Sequence, residues 1–200
     1  MNNYEIQRRT AAKAFAAFDT AALARRFDLK HDDNYIYLNF LATPYCICRK
    51  TGLVTEQRTG LDAGFDISMT IYDMLTNPNG MPCLSGQWCS HEHFNAVRGG
   101  TLQGKLELHT DMSYLVGRVP LLRKACHELG GVDFPSGDYA AVLPLFDFFP
   151  VLLRYYDADE EFPAQLQILC DANTTRYLRY ETTFFAAGAI LRTVKSGTSA

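Results

Sequence analysis

Two short apolar runs separated by a Phe-Pro pair constrain the fold of this chain more than any other feature. The runs cover residues 140–146 and 151–156, and they carry branched aliphatic and aromatic side chains, which favour β-strands. Phe149-Pro150 between them is typical of a hairpin connection. The pattern therefore predicts two central strands that pair as a β-hairpin.

A cluster of carboxylates follows the second run, and Phe162-Pro163 ends any helix before the next apolar segment begins. That segment, residues 166–169, leads to Asp171. If the three segments are neighbouring strands, we expect their acidic ends to share one edge of the sheet and to form a site there. The clustered carboxylates are Asp157, Asp159, Glu160 and Glu161.

Two interpretations of these carboxylates are open. Converging carboxylates bind divalent cations, or raise one another's pKa and so provide a general acid beside a general base. The alternative is a solvated acidic turn that caps the next segment or pairs with Arg154, Arg176 or Arg179, since charge runs are usually solvated. Glu161 and Asp171 adjoin apolar runs, so burial would require a partner for each carboxylate.

Residues 83–94 form a second candidate site. Two thiols, two imidazoles and a carboxylate fall within eleven residues, and such ligands could hold zinc or iron. Their spacing matches neither a zinc finger nor a His-Glu-x-x-His helix. The alternative is a loop with a short edge strand or helical turn, in which Trp88 packs into the core. The weak metal candidates are Cys89, His91 and His93.

The rest of the chain predicts helices and a meander around these segments. Tyr35 to Phe40 and Tyr45 to Cys48 have the composition of antiparallel strands. We expect an α+β fold, a mainly antiparallel sheet flanked by helices, in a single domain over residues 1–194, with residues 195–200 as a frayed tail. The helices are expected over residues 4–28, with a break at Asp19-Thr20, and over residues 66–75, 120–129 and 181–191.

Composition argues against two classes of partner. A net charge of −3 offers no basic surface for nucleic acid. No signal peptide is recognisable and no window reaches transmembrane length, so we expect a cytoplasmic protein that does not bind membranes. In that compartment the six cysteines should be reduced thiols, and Cys126, on the apolar face of its helix, should be inert.

Several short motifs in the second half of the chain carry a family resemblance. Together they resemble the uncharacterised prokaryotic family known as domain of unknown function 3786, over roughly residues 60–185. The resemblance implies a cytosolic prokaryotic protein, often from anaerobes, and implies no activity. The motifs are Gly137-Asp138, Leu143-Pro144, Pro-Val-Leu-Leu at 150–153, Asp-Glu-Glu-Phe-Pro-Ala at 159–164, Ile-Leu-Cys-Asp at 168–171, Tyr177-Leu178 and Glu181, with weaker matches at Gly86-Gln87-Trp88 and Gly130-Gly131.

The resemblance also implies relatives that are sometimes fused to a cysteine-ligated iron–sulfur module. This chain departs from such modules, because no pair of its cysteines has the two-residue gap that recurs in cluster ligands. We therefore do not expect this polypeptide to hold a cluster itself, and the sequence names no other cofactor.

Two functional hypotheses follow. The favoured one is a non-catalytic binding or accessory module, in which an aromatic-lined pocket near residues 137–171 receives a small molecule or a partner protein. It is supported by 11 Tyr and 13 Phe and by the lack of a complete catalytic signature. The alternative is a metal-dependent enzyme whose carboxylates are helped by His91 and His93. The candidate binding residues are Asp159, Glu160, Glu161, Asp171 and Trp88.

Overall fold

The computed structural model describes residues 3–91, 94 and 112–198. Within them, helices and two antiparallel sheets form a single α+β domain, as the sequence predicts. None of the described helices is long and apolar enough to cross a bilayer. The five described helices are α1 (Asn3–Ala16), α2 (Thr20–Arg26), α3 (Gly64–Thr76), α4 (Val119–Glu128) and α5 (Tyr180–Thr198).

The smaller sheet has the order β1-β2-β3 and the larger sheet the order β4-β8-β7-β6-β5. The predicted hairpin is confirmed, since β6 and β7 pair antiparallel from Tyr139 opposite Tyr155 to Phe146 opposite Phe149. The predicted connection was wrong, because the turn is Asp147-Phe148 and Phe149-Pro150 begin β7. The two sheets meet where the N–H of Leu41 donates to the Pro144 carbonyl at 3.1 Å. The strands are β1 (Tyr35–Phe40), β2 (Thr43–Cys48), β3 (Val54–Glu56), β4 (Trp88–Cys89), β5 (Val132–Asp133), β6 (Tyr139–Phe146), β7 (Phe149–Tyr156) and β8 (Gln165–Asp171).

The larger sheet buries different residues on its two faces, because successive side chains of a strand point in opposite directions. Leu143, Leu153 and Ile168 belong to the main core. Leu152 and Leu169 lie on the other face, in a small separate cluster. The larger sheet therefore packs apolar side chains on both of its faces.

Two of the described helices, α2 and α4, begin at local signals in the sequence. The break at Asp19-Thr20 is confirmed, because the Asp19 carboxylate accepts a hydrogen bond of 3.0 Å from the N–H of Ala22 and caps α2. Pro120 lies in the first turn of α4, where its missing N–H costs nothing. Both signals are local in the sequence, which is why the sequence reveals them.

The prediction of a frayed C-terminal tail was wrong for residues 195–198. Helix α5 continues to Thr198, whose hydroxyl donates to the Val194 carbonyl at 3.1 Å. Val194 is buried in the core, and a Cβ added at Gly197 would lie 3.2 Å from the Ala125 side chain of α4. Close packing against α4 therefore holds a segment whose small polar residues alone suggest disorder.

Candidate functional site

Asp171, the last residue of β8, is buried and accepts four hydrogen bonds. Its exposed fraction is 2%. Oδ1 accepts from the N–H groups of Ser85 at 3.0 Å and Asn173 at 2.8 Å. Oδ2 accepts from the Ser85 hydroxyl at 3.0 Å and the Gly86 N–H at 2.8 Å. Three of these four donors belong to the loop at residues 83–87, which is the main partner of this buried carboxylate.

The charge of Asp171 is held by this loop. Burial alone would raise the pKa of the carboxyl, but the hydrogen bonds from Ser85, Asn173 and Gly86 outweigh it and keep the pKa below its ordinary value. The loop has further ties, since the Cys83 N–H donates to the Tyr177 hydroxyl at 2.9 Å. Asp171 is therefore a charged anchor for the loop, with its hydrogen-bonding capacity already used.

The acidic turn at residues 157–161 lies elsewhere. Asp159, Glu160 and Glu161 are exposed in the connection between β7 and β8. Asp159 Oδ1 accepts from the N–H groups of Glu161 at 2.8 Å and Phe162 at 2.7 Å, which closes the turn. Asp157 accepts from the Tyr155 hydroxyl at 2.9 Å. These contacts fit the solvated acidic turn.

The expectation that Asp171 and Glu161 share one edge of the sheet was wrong. Two antiparallel strands run in opposite directions, so their C-terminal ends lie at opposite ends of the sheet. β8 pairs antiparallel with β7. The turn precedes β8 and Asp171 ends this strand, so seven residues of about 3.3 Å each, or about 23 Å in all, separate Glu161 from Asp171. Two of the three arginines named as possible partners form hydrogen bonds elsewhere: Arg154 donates to Gln167 and Arg179 to Asp73.

Among the described candidate residues, Trp88 is the one that the structure places beside Asp171. The two residues are directly opposite each other in the β4–β8 pair. The ring of Trp88 is half-buried and packs on the outer cluster with Leu152 and Leu169, so the expectation that it fills the main core was wrong. Cys89, the next residue, faces the main core instead and lies opposite Cys170.

His91, a candidate metal ligand, is buried in the protein interior. Its ring stacks on Phe184 with centroids 4.9 Å apart, and Nε2 lies 3.3 Å from the Thr183 carbonyl. Burial lowers the pKa of His91, against the opposing effect of this carbonyl. His93 lies outside the described residues. Among the residues that the structure describes, no three His, Cys, Asp or Glu side chains are grouped to hold a metal ion.

A cavity lies between helices α3 and α5, where residues 63–67 face residues 180–193. This α3–α5 cleft has a volume of about 960 Å³, which is at the upper end of the range of about 300–1,000 Å³ for ligand pockets. Its described lining residues are Tyr4, Ala63, Gly64, Phe65, Asp66, Ile67, Tyr180, Glu181, Phe184, Phe185, Gly188, Ala189, Arg192 and Thr193.

Five aromatic rings form much of this lining. Tyr4 meets Phe65 edge-to-face at 5.1 Å, and Phe65 meets Phe185 in the same manner at 5.1 Å. Tyr180 and Phe184 make a second edge-to-face pair at 5.0 Å. Phe65, Phe184 and Phe185 are only half-buried, so large apolar surfaces remain in contact with the open cleft.

Charged groups of the cleft are few. Asp66 of α3 forms an ion pair with Arg192 of α5. Gly188 lies beside this ion pair. A Cβ atom added at this position would be 3.3 Å from Asp66 Oδ2 and 3.4 Å from Arg192 Nη1. Glu181 adds an exposed carboxylate. An apolar lining with a few polar groups is the usual composition of a small-molecule site.

Sequence reasoning placed the aromatic pocket near residues 137–171, whereas this cleft lies on α3 and α5. The available signal was Phe184-Phe185, since neighbouring helix positions point in different directions. Phe184 packs on His91 while Phe185 reaches Phe65. Two adjacent phenylalanines therefore indicate that α5 packs aromatic side chains against two different parts of the fold.

Fold and cleft together define an α+β domain with an aromatic-lined cavity of small-molecule size. Within that class, the chain belongs to the family described as Domain of unknown function (DUF3786), which matches residues 19–193. The resemblance seen in the sequence motifs is thereby confirmed. No curated protein and no solved structure matches the chain.

Proposed function

We propose that this protein is a non-catalytic binding module that receives a small, largely apolar molecule in the α3–α5 cleft. The observation that carries this proposal is the set of five aromatic rings around a cavity of about 960 Å³. Removing apolar surface from water contributes about 25 cal/mol per Å², so half-buried rings in a concave site favour an apolar ligand over water.

The chemistry of the lining favours binding over turnover. Neither cysteine nor histidine is among the described lining residues of the cleft. Asp66 is already engaged by Arg192, which leaves this carboxylate poorly placed as a general base. Polar groups of this kind orient a ligand, while the rings supply the contact area.

The carboxylate enzyme of the alternative hypothesis lacks the convergence that it requires. A cation site or an acid–base pair needs at least two side chains at one point. Asp171 is saturated by donors of the loop, and Glu161 lies at the other end of β8. The binding hypothesis is therefore the one that the geometry supports.

The proposed setting is the cytosol of a prokaryote, where the module would serve as an accessory protein of metabolism. The resemblance to the family supports this setting, and so do the cysteines, all six of which are free thiols. Thiols without disulfide partners are typical of proteins in reducing compartments. Recovering the protein from the soluble cytosolic fraction of its source cells would test this part of the proposal.

A fluorescence titration tests the cleft. N-phenyl-1-naphthylamine is a neutral probe whose emission rises in apolar surroundings, and we expect saturable binding to the wild-type protein. The variant Gly188→Leu adds an isobutyl group to the lining of the cleft, and we expect at least about a tenfold loss of probe affinity. Leu also favours a helix over Gly by about 1 kcal/mol, which offsets any displacement of the nearby ion pair and should keep the variant folded.

Ser196→Leu is the matched control. It adds the same side chain to an exposed position of the same helix, outside the cleft. We expect this variant to bind the probe as the wild type does. Equal probe affinity in Gly188→Leu, with circular dichroism showing an intact helix content, would refute the cleft as the binding site.

A further inference from the structure

Cys89 and Cys170 are directly opposite each other on neighbouring strands. The antiparallel register of β4 and β8 pairs them, and directly opposite residues of such a pair have side chains on the same face. Both side chains face the main core, and both are free thiols. The fold therefore brings together two thiols that are far apart in the sequence.

The backbone hydrogen bonds define the spacing of the pair. The N–H of Ala172 donates to the Gln87 carbonyl at 2.8 Å, so these two residues form a hydrogen-bonded pair of the ladder. Pairs of this kind recur every second residue, with Cα atoms about 5.5 Å apart. Cys89 and Cys170 are the next such pair. Disulfides usually span Cα separations of about 4.4–6.8 Å.

The Cβ atoms need a small adjustment. Directly opposite residues have Cβ atoms about 4.5–5.5 Å apart, and hydrogen-bonded pairs lie toward the upper value, whereas a disulfide needs about 3.5–4.5 Å. β4 is a two-residue strand at the edge of its sheet, and it can move toward β8 by this amount more easily than a central strand can. The bond thus requires a local shift of β4 and leaves the other strands of the sheet in place.

We propose that Cys89 and Cys170 form a reversible intramolecular disulfide, a redox-sensitive latch that fixes β4 and the loop at residues 83–87 to β8. The oxidant is a small-molecule disulfide. Two protein thiols and one oxidant disulfide yield the protein disulfide and two small thiols. This latch is independent of the proposed ligand and of the α3–α5 cleft.

The two thiols have different roles in the exchange. Burial raises the pKa of Cys170 to about 12, so its thiolate is rare and it is a poor attacking group. Cys89 is half-buried at the sheet edge and is the thiol that attacks the oxidant, releasing the first small thiol. Cys170 then loses its proton and attacks the Cys89 sulfur of the mixed disulfide, which releases the second.

The test uses Cys83→Ser as the parent protein, because Cys83 is an exposed thiol six residues from Cys89. The parent is incubated with 2-hydroxyethyl disulfide, alkylated, and examined by intact and peptide mass spectrometry. We expect the loss of two hydrogen atoms and a peptide in which Cys89 is joined to Cys170, both reversed by dithiothreitol. Amide hydrogen exchange at residues 84–87 should slow on oxidation.

Cys170→Ser and Cys89→Ser in the same parent are the controls. We expect a stable mixed disulfide at Cys89 in the first and no linked peptide in either. The proposal is overturned if the parent accumulates only the mixed disulfide at Cys89. It is equally overturned if Cys89 stays unmodified in the folded protein while the exposed Cys83 of the wild-type protein reacts.

Discussion

Replacing Asp171 with Asn should destabilise the fold strongly, although the two side chains have nearly the same shape. In the wild-type protein, Oδ1 accepts two N–H donors and Oδ2 accepts the Ser85 hydroxyl and the Gly86 N–H. Asn can present its carbonyl to the first pair only. Its NH₂ group would then face the Gly86 N–H, which leaves two donors opposed in a buried site.

The magnitude follows from the lost contacts. A hydrogen bond to a charged group contributes about 1.5–3 kcal/mol, and an unsatisfied buried donor costs about 1–3 kcal/mol. The Ser85 hydroxyl can rotate and accept from the new NH₂ group, which recovers part of the loss. We therefore expect Asp171→Asn to lower the free energy of unfolding by about 4 kcal/mol, a large share of the roughly 5–15 kcal/mol of a typical domain.

Urea denaturation at pH 7 measures this loss. With a slope near 2 kcal/mol per molar urea, the midpoint should fall by about 2 M. The pKa of Asp171 is lower in the folded protein than its ordinary value, so the charge contributes fully above the unfolded pKa of about 3.9. That contribution is lost as the pH falls from there through the folded pKa. The gap between wild type and variant should therefore narrow below about pH 4.

Asp159→Asn is the matched control. Both hydrogen bonds of Asp159 go to one oxygen in an exposed turn, and Asn can present its carbonyl in the same place. We expect a loss below about 1 kcal/mol. If Asp171→Asn unfolds within about 0.5 kcal/mol of the wild type at pH 7, Asp171 is not the charged anchor that its contacts indicate.

Three further predictions concern positions away from the cleft. Gly52→Ala should cost about 3 kcal/mol or more in urea unfolding, because φ is +75° and the new Cβ would lie 2.0 Å from the Ala12 carbonyl oxygen; a smaller loss would mean that α1 can move. Asp19→Ala should cost about 1 kcal/mol in the same assay through loss of the α2 cap, and no change would show that the cap is dispensable. In native protein at pH 8, the disulfide reagent DTNB should modify exposed Cys83 quickly and leave Cys126 untouched, since burial raises the pKa of Cys126 to about 12; rapid modification of Cys126 would contradict its packing.

Features fixed by neighbouring residues could be predicted from the sequence. The β6–β7 hairpin follows from two apolar runs, although its turn is Asp147-Phe148 and Phe149-Pro150 begin β7. The α1–α2 break follows from Asp19. The position of Asp171 relative to Glu161 could not be predicted in this way. It depends on the direction of β8, and one reversal of the chain at the acidic turn separates the two carboxylates by the length of the strand.

The α3–α5 cleft could not be predicted from the sequence for a different reason. Phe65 and Phe185 meet only because α3 packs against α5, and no local pattern specifies the pairing of two amphipathic helices that are distant in the chain. Asp66 and Arg192 likewise form their ion pair across this interface. Each residue alone has the appearance of an ordinary helix-surface position.

Backbone amide chemical-shift mapping with N-phenyl-1-naphthylamine tests the central claim most directly. The account predicts saturable shifts concentrated at residues 63–67 and 180–193, which line the α3–α5 cleft, and their loss in Gly188→Leu. Shifts confined to the sheet face around Trp88 and Leu169, or to the acidic turn, would contradict it.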